Sequence, residues 1–256
     1  MEHQLTTLID RARHVANQHK QNLVLTGILP TVRRSEVAPD YMTPNPRYTA
    51  LGNVIREIRG NDFELHIQGV DELMMRHESI LFEACNTSFQ VHLQIHPDDF
   101  VDQFNWAQAI AGPMLASAVN SPLLLGKELW CETRIALFQQ SIDMRSASHA
   151  LRERQPRVAF GTGWVKNSVV DIYKEDIARY TLLLTSEIAE DSVEALNDGK
   201  VPELSALRLH NGTIYKWNRA CYGISKGVPH LRIENRYLPS GPTHKTKWPT
   251  PCFGWA

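Results

Sequence analysis

Cysteine is scarce in this chain and scattered. The four thiols, Cys85, Cys131, Cys221 and Cys252, form no C-x-x-C pair, which argues against a zinc site or a disulfide framework and for free thiols in a reducing, cytoplasmic setting. No apolar run approaches the ~20 residues that a membrane helix needs, and the opening "MEHQLTTLIDRARHVANQHK" is polar and helical rather than signal-like. Charge of either sign is not in excess. Lys and Arg number 27 against 28 Asp and Glu, a balance that excludes nucleic acid as the main partner. The G-x-x-x-x-G-K-[ST] phosphate loop, the G-x-S-x-G elbow and the H-E-x-x-H helix are all missing. "GTGWVK" is only superficially a phosphate cradle, because Trp164 and Val165 are bulky where the backbone must approach the ligand.

What is there is an interleaving of helices and strands without a βαβ rhythm. Leu5, Leu8, Ile9, Ala12, Val15 and Ala16 keep helical spacing over residues 2–20. "NLVLTGILP" reads as a buried strand, and "PNPRYTALGNVIREIRG" as a helix that Gly60 ends. "FELHIQGV" alternates as a strand does, residues 71–85 read as helical, and Pro97–Asp98 open a long helix to about Val119. A further helix is predicted over 168–188, then a surface excursion, then two strands around a glycine-spotted turn within 207–243. This mixture favours an α+β fold.

In "NTSFQVHLQI", Phe89, Val91, Leu93 and Ile95 share one face of a strand, and Ser88, Gln90, His92 and Gln94 share the other. In "LRIENR", Arg232, Glu234 and Arg236 project together from a single strand face. Two readings fit that triplet. One is an exposed ladder of ion pairs, each worth ~0–1 kcal/mol. The other is a cleft face on which a carboxylate holds a divalent cation and guanidiniums hold phosphate or carboxylate oxygens. Taken singly, His92 is as well explained by a structural role, Arg134 by a helix-surface charge and Tyr48 by packing.

Together, "LTGILPT", "MTPNPRY", "FELHIQGVDEL", "ACNTSFQVHLQI", "NSPLLLG", "ETRIALFQQSID" and "NGTIYKWNRACYG…PHLRIENRYLPSGPT" resemble the glutamate–cysteine ligase-like carboxylate–amine ligases. The resemblance runs through roughly residues 22–243, in family order. It implies a glutamine synthetase-like fold, with a curved, mainly antiparallel sheet and helices on its outer face. It also implies an ATP- and magnesium-dependent reaction in which a substrate carboxylate becomes an acyl phosphate that an amine displaces, with small amino acids as substrates. Carried over by motif, Glu234 and His92 are metal ligands, with manganese tolerated because His92 offers nitrogen. Arg236 and Arg134 are the catalytic candidates, for the transferring phosphoryl group and the substrate carboxylate, and Arg219 and Arg232 are the cofactor-binding ones.

The family pattern also marks departures. Its opening G-x-E-x-E strand has no counterpart here, so the implied metal site is incomplete and activity of this chain alone is not expected. After "PSGPT" the family continues with a helix of the type "DE-[VM]-ANA-x-FWLG". The string "TKWPTPCFGWA" becomes "DEMANALFWLG" if its codons are read in a frame displaced by one base. The expectation is a partial catalytic domain over residues 1–243 followed by an irregular, out-of-frame tail over 244–256. Exposed sheet edges in such a piece predict self-association.

Overall fold

The computed structural model describes residues 2–78, 80–145, 155–186 and 190–241. Residues 244–256 and Cys252, with the predicted tail, lie outside the described residues. The fold is α+β, and every strand pairing among the described residues is antiparallel. Helix α1 spans Glu2–Gln18 and α2 spans Pro46–Arg59. Strands β1 (Phe63–Gln68) and β2 (Glu72–His77) form a hairpin. A short α3 (Leu81–Ala84) leads to β3 (Val91–Ile95), then α4 (Phe100–Ala116). The small hairpin β4 (Leu123–Leu124) and β5 (Lys127–Glu128) precedes α5 (Thr133–Ser141). Helices α6 (Val169–Arg179), α7 (Ser192–Asn197) and α8 (Ser205–Asn211) lead to the hairpin β6 (Asn218–Ser225) and β7 (Val228–Asn235).

Among the described residues the strands divide into three sheets rather than one continuous curved one. Two are the hairpins β1–β2 and β4–β5, and the third has the order β3-β7-β6. Residues 72–77, predicted helical, are a strand. Their partner β1 offers Phe63, Leu65 and Ile67 to the core on alternate positions, and that face recruits β2 as its neighbour. Conversely, "NLVLTGILP" forms no strand. Leu23, Val24 and Leu29 are exposed, Gly27 and Ile28 are buried, and the backbone is tied locally, with the Gly27 amide donating to the Asn120 carbonyl and its carbonyl accepting from the Thr87 amide. Residues 207–211, within the stretch read as two strands, are helical as part of Ser205–Asn211, and the helix predicted over 168–188 stops at Arg179.

Helix α2 begins where Asn45 accepts a hydrogen bond from the Arg47 amide at 3.0 Å, with Pro46 in the first turn, and ends on Gly60 at φ 74°. The apolar face of the three-stranded sheet, with Ala220 and Ile233, packs on Phe100, Phe104 and Ala107 of α4 and Ile172 of α6. A second cluster joins Leu51, Ile55, Phe63, Ala111 and Met114 to Trp217, Tyr237 and Leu238. The β1–β2 tip is docked against residues 128–130. The Asp71 amide donates to the Glu128 carbonyl at 2.7 Å, and the Trp130 indole donates to the Gln68 carbonyl at 2.8 Å. Gly69 lies so close to Leu129 there that a Cβ would stand 2.4 Å from the Leu129 carbonyl carbon.

Candidate active site

The sheet that buries one face on α4 and α6 turns its other face toward a polar row. Register puts His92 opposite Glu234 and Arg219 opposite Glu234, so three neighbouring strands each contribute one side chain to the same line. The next line joins Gln94, Arg232 and Cys221. Arg236 lies one step past β7, where its amide still donates to the Trp217 carbonyl at 2.8 Å and so continues the ladder. The strand alternation of the sequence therefore holds, and the acidic and basic side chains of "RIENR" share a face. On that face Glu234 is only 3% exposed, whereas His92 and Gln94 on the edge strand β3 are open to solvent.

Each oxygen of Glu234 has its own claimants. Oε2 accepts from Arg219 Nε at 2.6 Å and ion-pairs with Arg219 Nη2 at 2.5 Å. Oε1 lies 3.6 Å from both His92 Nε2 and Arg236 Nε, beyond hydrogen-bond reach. Two guanidiniums, those of Arg219 and Arg236, thus face one carboxylate, leaving the row cationic. Arg236 is held between Phe138, 6.0 Å away, and Tyr215, 5.7 Å away, which fixes its plane without using its N–H groups. Its Nε and Nη1, and Nε of Arg232, are buried with no hydrogen-bond partner among the described residues. Buried donors without acceptors are costly, and an anion is the ligand that satisfies them.

Burial pushes the His92 imidazole below its ordinary pKa. Glu234 opposes that shift, and Arg232, Arg219 and Arg236 add to it. The ring is therefore neutral at physiological pH, with a lone pair to offer. Glu83 of α3 was missed by sequence reading. Burial raises its pKa, and the neighbouring Arg236 partly offsets this. Tyr215 was missed as well. Its hydroxyl is pushed up by burial, with Glu83 adding and Arg47 opposing. The one available signal for Glu83 was a carboxylate inside the apolar run "ILFEAC".

Arg134 stands apart from the row. It is 1% exposed, donates through Nε to Glu132 at 2.9 Å and through Nη2 to the Tyr237 carbonyl, and lies over the Trp217 ring. Its donors tie the start of α5 to the residue after Arg236. Tyr48 lines a cavity of about 400 Å³ between residues 34–42, α2 and β2, which none of the row residues line.

A magnesium ion needs about six oxygen donors. His92 Nε2 and Glu234 Oε1 are two donors, one of them nitrogen, and no group of three or more His, Cys, Asp or Glu suited to a metal occurs among the described residues. The residues present do not fit a complete magnesium site.

Comparison with curated proteins returned no significant match. The sequence profile described as "Glutamate-cysteine ligase family 2 (GCS2)" matches residues 1–159, a span that holds His92 and Arg134 and stops before β6 and β7. With more than half its length matched, and with His92 of the matched part paired in register to Glu234 of the rest, the chain belongs to glutamate-cysteine ligase family 2.

Proposed function

We propose that the chain is of the ATP-dependent carboxylate–amine ligase class of glutamate–cysteine type, with residues 1–243 as a partial catalytic domain. The observation that carries this reading is Arg236, whose buried Nε and Nη1 have no hydrogen-bond partner among the described residues and stand beside Glu234. ATP supplies the phosphoryl group that turns a substrate carboxylate into an acyl phosphate, which an amine then displaces. Negative charge on the transferring group's oxygens calls for cations already in place. Arg236 meets that demand with its plane fixed by Phe138 and Tyr215. Arg219 neutralises Glu234 and keeps it from collapsing onto Arg236. Arg134, with its donors committed, is a positioning residue that holds the segment bearing Arg236. Magnesium accompanies ATP in this reading, but two donors do not complete its site and no step is assigned to it. The free thiols Cys85, Cys131 and Cys221 agree with a cytoplasmic setting.

The test is phosphate release from ATP and magnesium with glutamate and a panel of amines. The chain alone is expected to release none; in a form extended upstream with the G-x-E-x-E strand, amine-dependent release is expected, falling by about 10²-fold in Arg236→Gln with its circular dichroism unchanged. A second reading is a non-catalytic module that binds a nucleotide or an amino acid on the same face. The occupation of Glu234 Oε2 by Arg219 favours it, because the carboxylate is already neutralised. Calorimetric nucleotide binding without amine-dependent release decides for that second reading.

A further inference from the structure

A small pocket of about 160 Å³ opens at the outer edge of β6, walled by α6 and α8, and shares Arg219 and Arg232 with the polar face of the sheet. Arg208, Arg219 and Arg232 line it, with Asn211, Tyr173 and Cys221, and no Asp or Glu is among its lining residues. Arg208 is paired with Glu203 at 2.7 Å and Arg219 with Glu234, so each of these keeps an acidic partner at the margin. Arg232 differs, since its Nε is buried with no acceptor. The Tyr173 hydroxyl is buried there without a partner too. Burial raises the pKa of Tyr173 and Cys221, so both stay neutral and add no negative charge. The floor is thus cationic with two unsatisfied donors. Its volume, below the ~300 Å³ at which pockets begin to enclose a whole drug-sized ligand, fits a single small anionic group.

We propose that this pocket is a second anion site, in which Arg232, supported by Arg208 and Arg219, receives the carboxylate or phosphate group of a small molecule. It is distinct from the Arg236 position. Arg236 is not among the pocket's lining residues, and four residues along the chain set the two Cα atoms roughly 13 Å apart at ~3.3 Å per residue. The inference goes beyond the ligase reading and does not rest on it, because an anion can be bound here with no nucleotide or amine present.

The experiment titrates inorganic phosphate and, separately, acetate into the full chain while the arginine Nε–H signals are followed by NMR. Perturbation of the Arg232 signal is expected. Affinity should drop at least tenfold in Arg232→Gln and severalfold in Arg208→Gln, whose exposed helical position spares the fold, and should hold in Arg236→Gln. Tighter phosphate than acetate identifies a phosphorylated ligand, and the reverse order a carboxylate one. Either order supports the site. Silence of the Arg232 signal with both anions, or an affinity unaltered by Arg208→Gln, overturns the proposal. Loss of ligase activity with this binding retained would defeat only the function proposed above.

Discussion

At the scale of single residues, Glu234 and Arg219 form the tightest charge pair of the sheet, with the carboxylate buried and the guanidinium mostly so. Removing one member strands the other's charge, which costs about 3 kcal/mol. Glu234→Gln is therefore expected to lower stability in urea denaturation, whereas adding Arg219→Met should recover most of the loss. Strict additivity of the two effects would show that the pair is not coupled. His92 supplies a pH handle. Its depressed pKa means that the unfolded chain takes up a proton before the folded one does. The neutral ring's contribution is complete above ~6.5 and is lost as pH falls toward the lower folded value. NMR titration should place the His92 midpoint below 6.5, lower still in Glu234→Gln, where the opposing charge is gone, and higher in Arg232→Gln. The sequence made these residues legible through i, i+2 alternation alone. It could not reveal that Arg219 would claim Glu234, because that pairing depends on the β6–β7 register. Nor could it reveal that Arg134, taken for a substrate contact, is walled in by Glu132, Trp217 and Tyr237.

At the scale of elements, local signals were reliable where the element carried its own boundary marks, and failed where a partner decided. Helix α2, with Asn45, Pro46 and Gly60, needed no tertiary information. "ELMMRH" has enough helix formers to read as helix, and becomes a strand because β1 presents a complementary edge. Two glycines separate these kinds of cause. Gly60 has nothing within reach of an added Cβ, but its φ is 74°, so Gly60→Ala should cost about 1 kcal/mol through backbone strain alone. At Gly69 an added Cβ would meet Leu129 backbone 2.4 Å away. Gly69→Ala must therefore part the hairpin from residues 128–130 and should cost clearly more than Gly60→Ala. Thermal unfolding of the two variants side by side measures the order, and equal losses would contradict it.

At the scale of the whole molecule, the α+β class followed from the interleaving of periodicities, but the division into three sheets did not. Nothing local announces that β3, far from the chain's end, will pair with β7. That long-range pairing has a direct test. A fragment of residues 1–159, the span that the family profile matches, leaves β3 without β7 and removes Trp217, Tyr237 and Leu238 from the cluster around Ile55 and Phe63. It should lack a cooperative thermal transition and bind a hydrophobic dye, and a sharp two-state melt of that fragment would contradict this. The contact at Gly69 has a mechanical side. Where two backbones approach with no side chain between them, there is no soft layer to shear, so the β1–β2 hairpin and the β4–β5 turn move as one solid piece. Whatever adjustment accompanies ligand capture must then come from elsewhere.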